Sequence, residues 1–193
     1  MKTIILDTES NGMRPEQLCQ LSYIIANDGH MAGRNFFFSV SCMSEYAQKK
    51  HGFSKKRLYD LSKGRGFTDQ YDDFKADFES ADMVCGHNIA SDIRMLKLSY
   101  READECFPVL QHFCTMRHFD NAMHLKDRCG HHKPPRLDEL CGYMGIKNEQ
   151  IQDFCKEMFG KSAYHAHDAR FDTAATCLCI LEGQKRGDVR GVI

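Results

Sequence analysis

The chain has 193 residues, with 26 Lys and Arg against 27 Asp and Glu for a formal net charge of −1. That is room for one medium domain with its own core, and it excludes a polycationic nucleic-acid binder, so any such ligand has to be held by a local patch. No apolar run is long enough to span a membrane, and MKTIILDTE reaches acidic residues too early for a secretory leader. The expectation is a soluble, cytoplasmic protein with residues 1–185 as a single domain and 186–193 as a short tail.

Residues 2–6 are a β-rich run ending at Asp7. Leu18 to Ala26 is a second run, and it leads into the turn signal Asn27-Asp28-Gly29. NFFFSV (35–40) is a third. Three strands in succession predict an antiparallel meander. The period then changes. Ser54 to Leu61 reads as a short helix, and Phe67, Tyr71, Phe74 and Phe78 recur at helical spacing, opposite an acidic face of Asp69, Asp72, Asp73, Asp77 and Glu79. DMVCGH (82–87) reads as a buried strand, 88–100 as a helix with Ile89, Ile93 and Leu96 inward, and PVLQHFCT (108–115) as another strand. Helices follow over 116–125, from Leu137 to Gly142 or Gly145, and from Ala169 to Gly183. The order β-β-β-α-α-β-α-β-α-α-α predicts an α/β domain. Its centre is a mixed five-stranded sheet, three antiparallel strands first and then two parallel crossovers, with helices on both faces.

Ten cysteines without a CxxC pair read as free thiols, several of them packing as small hydrophobes. Cys129, His131 and His132 in DRCGHHKPP are the one candidate zinc cluster, and they lack a fourth ligand at standard spacing; a polar loop is the better reading.

Carboxylates carry the chemistry. Asp7 and Glu9 are two apart at the carboxyl end of the first strand and therefore share a face, at the sheet edge where ligands of α/β proteins bind. Asp92 follows the fourth strand in GHNIASD, and Asp172 begins the last helix in YHAHDARFD. Each alone reads equally as a polar terminus or a cap. Gathered together, the four would repel one another without a counter-ion. Hard oxygen donors suit Mg2+ or Mn2+, and two such ions can clamp a phosphodiester during displacement. A nearby histidine, neutral near physiological pH, can serve as the base.

With these motifs in order, the sequence resembles the DEDDh 3′→5′ exonucleases of ribonuclease H-like fold. It is most like the epsilon proofreading subunits of bacterial DNA polymerase III and their stand-alone relatives. Asp7-Thr8-Glu9 matches the first motif, HNIASD with Asp92 the second, and His167-Asp168-Ala169-Arg170-Phe171-Asp172 the third. Asp168 stands where the sister class has Tyr. HGFSKKRL (51–58), CTMR (114–117) and KPPRLDELCGYMGI (133–146) are similar to the intervening stretches, so the resemblance spans nearly the whole chain. It implies that Asp7, Glu9, Asp92 and Asp172 hold two divalent cations, Mg2+ or Mn2+, with Asp7 bridging them, and that His167 is the general base. It implies that Thr8, Ser10, Asn11, Gly12 and Met13 cradle the terminal nucleotide, Glu9 reaching its 3′-hydroxyl. His51, Phe53, His87 and Asn88 would also face the substrate, although Met13 and Phe53 read equally well as core.

Residues 49–65 carry seven Lys and Arg against one acid, and Arg117, Lys126, Arg128, Lys133 and Arg136 form a second basic stretch. Such runs are usually solvated faces but can track phosphates. The expected activity is release of nucleoside 5′-monophosphates from the 3′ end of DNA, single-stranded or frayed. The alternatives are an RNase acting on RNA 3′ ends or, in a different class, a non-catalytic polymerase- or nucleic-acid-binding module. Association with a polymerase or a homodimer is compatible with the sequence. The short stretch after Gly183 favours a stand-alone enzyme.

Overall fold

The computed structural model describes residues 1–160 and 164–193. Strand β1 (Lys2–Ser10) lies at the centre of a five-stranded sheet. It pairs antiparallel with β2 (Leu18–Asn27), which pairs antiparallel with β3 (His30–Phe37). Helix α1 (Glu45–His51) and α2 (Lys55–Ser62) follow, then a 3₁₀ segment (Thr68–Asp73) and the short α3 (Lys75–Glu79). The parallel crossovers β4 (Met83–Gly86), α4 (Ile89–Glu102) and β5 (Gln111–Cys114) complete the sheet in the order β3-β2-β1-β4-β5. Helices α5 (Thr115–Met123), α6 (Leu137–Met144), α7 (Asn148–Phe159) and α8 (Ala169–Arg186) close the chain order. This is the expected mixed sheet. Among the described residues, no helix is long and apolar enough to cross a membrane.

Strand alternation divides the core in two. Ile4 and Leu6 face a cluster built with Phe38, Phe74, Phe78, Leu96 and Tyr100. Ile5 faces the other cluster, which holds Phe171, Ala174, Ala175 and Ile180 of α8. Asp7 and Glu9 continue the Ile5 face by the period of two. Val189 and Val192 are buried on that side, and the Thr3 hydroxyl donates to the Val192 carbonyl at 2.5 Å, so the segment after α8 belongs to the packed unit.

Several elements depart from expectation. β1 runs past Asp7 to Ser10, and β3 begins at His30, five residues before the apolar NFFFSV run, because backbone pairing with β2 extends the ladder through polar positions. The helix expected over the Phe67–Phe78 stripe is a 3₁₀ segment and a separate helical turn, broken at Phe74. All four aromatic residues are buried as expected. The intervening TDQYDD is rich in residues that compete for backbone hydrogen bonds, and the Asp69 carboxylate accepts the Gly66 N–H at 2.8 Å. Asp77 leaves the acidic outer face: it accepts from the Tyr23 hydroxyl at 2.7 Å and from Arg34 at 3.0 Å. Helices α1 and α7 were not expected. On α1 only Ala47 and His51 are buried, which leaves no apolar period to read. On α7 the stripe Ile151, Phe154, Cys155, Met158 was there to be read.

None of the ten cysteines is paired; Cys19, Cys85, Cys141, Cys155, Cys177 and Cys179 are buried. The Cys129–His132 loop is organised around Asp127, whose carboxylate accepts the N–H groups of Cys129 and His131 at 2.8 and 2.9 Å.

Candidate active site

β1 carries Asp7 and Glu9 to the carboxyl end of the parallel strands, opposite Ser22 and Gln20 of β2. The register shifts between Glu9 and Ser10, a bulge that ends regular pairing at the site. Thr8, on the other face, donates its hydroxyl to Asp92 Oδ1 at 2.7 Å, which ties the first turn of α4 to β1. Asp172 comes from the first turn of α8. A cleft of about 230 Å³ is lined by all four acids together with Lys50, Arg94 and His167.

This much carboxylate out of water disfavours charge. Burial raises the Asp7 carboxyl well above its ordinary value, and the charges of Asp92, Asp172 and Glu9 add to the effect. Burial lifts Glu9 to about 8 against the pull of Lys50, and lifts Asp92 to about 7 against its bond from Thr8. Asp172 rises to about 6, again by burial, although it accepts the His167 N–H at 3.0 Å. Glu9, His167 and Asp172 offer ligand atoms all within 4.8 Å of one another, and they form the one such group among the described residues.

His167 sits in the left-handed region at φ 67°, unusual for a side chain of this size. Its N–H to Asp172 and the Asp168 N–H to the His165 carbonyl at 3.0 Å hold it there. The ring is half-exposed, with Nδ1 4.0 Å from Asp172 Oδ2. Partial burial, then the charges of Lys50 and His165, lower its pKa, so the imidazole is neutral at physiological pH. His167 also stands between the cleft and a larger, mainly apolar cavity of about 550 Å³ between α6, α7 and α8.

Beneath this loop lies a buried polar network. Asp168 accepts from Arg170 Nε and Nη2 at 2.9 and 2.6 Å, from Gln20 at 3.0 Å and from the Arg170 N–H at 3.1 Å, the last being the cap of α8. Arg170 in turn stacks on Tyr164, 3.9 Å from the ring centre. The Gln20 side-chain amide oxygen, Oε1, accepts the Ala169 N–H at 3.1 Å, so β2 and α8 are joined at the histidine.

The residues expected to meet substrate divide. Thr8, Ser10, His87 and Asn88 line the cleft with the acids. Met13 is exposed on the adjoining loop. Asn11, His51 and Phe53 are buried, and His51 and Phe53 line a separate pocket of about 150 Å³ with His165 and Asp168. The Asn11 carboxamide binds Pro15, Met13 and Gln17 within its own loop. The His51 ring accepts the Phe53 N–H at 3.1 Å and stacks on the Phe53 ring. Phe53 packs on Phe37. Both ring nitrogens of His87 are engaged, with Thr115 Oγ1 and the Pro135 carbonyl, each at 3.0 Å. Gly12 has φ 64°, and a Cβ there would lie 2.6 Å from Ser44 Oγ, so glycine lets the loop pass against α1. Arg94 and the Asp168 network were missed, and Lys50 was read only as one of the basic residues of 49–65. Its place at the cleft depends on α1; Asp168 was legible as the residue between His167 and the start of α8.

A five-stranded sheet with three antiparallel and two parallel strands and helices on both faces is the ribonuclease H-like fold. Solved structures carry the same fold. One is an apo form of Exonuclease I, 13% identical over 95% of this chain and 42% of that one, with TM-score 0.71. Another is a zinc-bound E. coli ExoI–ssDNA complex, 14% identical over 96% and 40%, with TM-score 0.73. A third is the metal-free form of that complex, 13% identical over 96% and 40%, with TM-score 0.71. The chain spans about two fifths of the length of those proteins. No family model and no curated protein sequence matches it.

Proposed function

We propose that the chain is a metal-dependent 3′→5′ exonuclease of the DEDDh type, carried by a single domain that includes the segment after α8. It removes nucleoside 5′-monophosphates from the 3′ ends of single-stranded or frayed DNA. One observation carries the reading: four acids from β1, α4 and α8 share one cleft, raised above their ordinary pKa values, with no Lys or Arg ion pair among the described residues to neutralise them. Such a donor set fits hard divalent cations. Asp7, Glu9, Asp92 and Asp172 would hold two of them, Mg2+ or Mn2+. Bound there, the cations would supply charge stabilisation to the phosphoryl oxygens.

The chain's own groups do the rest. The Thr8 hydroxyl orients Asp92. The His167 N–H orients Asp172. With Nδ1 turned toward Asp172, Nε2 of the neutral His167 ring is the atom left to take a proton from the attacking water. The DNA preference is supported by the shared fold with Exonuclease I, which has been solved with single-stranded DNA.

The test offers matched single-stranded DNA, RNA and duplex oligonucleotides, labelled at the 5′ end, with Mg2+ or Mn2+. Stepwise shortening from the 3′ end with 5′-monophosphate product is expected, fastest on single-stranded DNA, and Asp7→Asn should abolish it. Cleavage of a circular single strand at a comparable rate would refute the exonuclease assignment.

A further inference from the structure

Helix α1 brings one more group to the cleft. Ser44 caps its start, accepting the Ala47 N–H at 3.1 Å, and Gly52 ends it in the left-handed conformation at φ 78°. In its last turn, Lys50 reaches the wall of the acidic cleft, across from Asp7, Glu9, Asp92 and Asp172. Its neighbour Lys49 is paired with Glu45, at 3.9 Å. Lys50 makes no ion pair within 4.0 Å among the described residues, although four acids line the same cleft. Arg94, the other cation lining the cleft, is committed to Glu16.

A lysine is a point charge on a flexible stem, and it binds phosphate as such. Lys50 is too exposed to be a core element, and it forms no contact pair that would make it a structural bridge. Its field reaches all four acids and lowers each of their pKa values. Once divalent ions neutralise those acids, the ammonium is the unpartnered charge at the lip of the cleft. The anion that arrives there with a nucleic-acid end is a phosphate.

We propose that Lys50 is a substrate-binding residue that contacts a non-bridging phosphate oxygen of the terminal nucleotide. The proposal rests on the exonuclease reading for the identity of the ligand. It makes Lys50 a group that competes with metal when the cleft lacks substrate and grips phosphate when the cleft is loaded. Two measurements should therefore move in opposite directions when the charge is removed.

The experiment compares the full chain with Lys50→Met and Lys50→Arg by calorimetric titration with three probes: Mn2+ alone, thymidine 5′-monophosphate with Mn2+, and thymidine with Mn2+. Lys50→Met should weaken the monophosphate about tenfold, the size of one charge-assisted contact, and leave thymidine unchanged. It should bind Mn2+ at least as tightly as the parent, because a cation has left the cleft. Lys50→Arg should restore the monophosphate to within about threefold, since charge is kept. On single-stranded DNA, KM should rise with smaller change in kcat. Monophosphate affinity in Lys50→Met equal to that of the parent, or a parent that binds monophosphate no better than thymidine, overturns the assignment. Lys50-dependent phosphate binding without hydrolysis of any oligonucleotide would support the assignment and overturn the exonuclease reading. Hydrolysis with Lys50-independent phosphate binding would do the reverse.

Discussion

Replacing Asp168 with leucine isolates the network under His167. Asp168 is 3% exposed, and its carboxylate is bound by Arg170 Nε and Nη2, by Gln20 and by the Arg170 N–H at the start of α8. Burial alone would raise its pKa, but Arg170 and Gln20 outweigh that and hold the carboxyl below its ordinary value. Its stabilisation is therefore present above the unfolded carboxyl pKa of about 4 and is lost as pH falls through the lower folded value. Removing one partner of a buried pair costs about 3–5 kcal/mol, because the other charge is stranded; here that charge is the Arg170 guanidinium between Tyr164 and Phe37. Losing the cap adds about 1 kcal/mol. For a chain of this size, each kcal/mol is worth about 2–4 °C, so Asp168→Leu should melt roughly 10–20 °C lower. Urea denaturation followed by circular dichroism gives the free energy directly. The double variant Asp168→Leu with Arg170→Met should recover most of the loss, since an apolar pair then replaces an orphaned charge. A single variant within about 1 kcal/mol of the parent, or a double variant no more stable than the single, would refute the reasoning.

The acidic cleft makes a prediction of opposite pH sign. Its folded pKa values lie above the unfolded ones, so the stability they contribute is complete below about pH 4 and disappears as pH rises through the folded values, about 6 for Asp172, 7 for Asp92 and 8 for Glu9. In chelator, Tm should fall between about pH 6 and pH 8, and Mn2+ at the upper end should restore it; a flat profile would count against an uncompensated cluster. His167→Ala should lose about 10²–10⁴-fold in kcat and the rising limb of the pH–rate profile. His165→Ala, whose ring bonds the Ala166 carbonyl and does not line the acidic cleft, should lose little; the reverse outcome would misplace the base. Gly12→Ala should cost about 1–2 kcal/mol from the left-handed backbone alone, and more if α1 cannot give way before the new Cβ, which a denaturation curve would show.

The parts of the fold that follow a strong period were legible in the sequence. The three-strand start, both crossovers and α8 come from apolar alternation and turn residues, and the shared face of Asp7 and Glu9 from the strand period alone. What failed was local or tertiary in origin. Helix α1 has almost no buried face, so it is set by the Ser44 cap and by packing over Gly12, and the basic run 49–65 alone did not say that Lys50 is the member that reaches the cleft. The Phe67–Phe78 stripe gave the correct burial but not the helix, since packing selects which side chains turn inward while Asp-rich backbone selects how. Asn11, His51 and Phe53 are buried outside the acidic cleft, a placement that adjacency along the chain does not give.

The acids of the cleft are joined by topology over nearly the whole chain. Asp7 and Glu9 stand on the central strand, while Asp172 arrives only with α8, 165 residues after Asp7. At ribosomal rates of about 5–20 residues per second, that interval is roughly 8–33 s. Throughout it, β1 has been made and the fourth acid has not, so the carboxylate cluster cannot assemble on the nascent chain until α8 is complete. The strand order thus makes this cleft one of the last features of the fold to form.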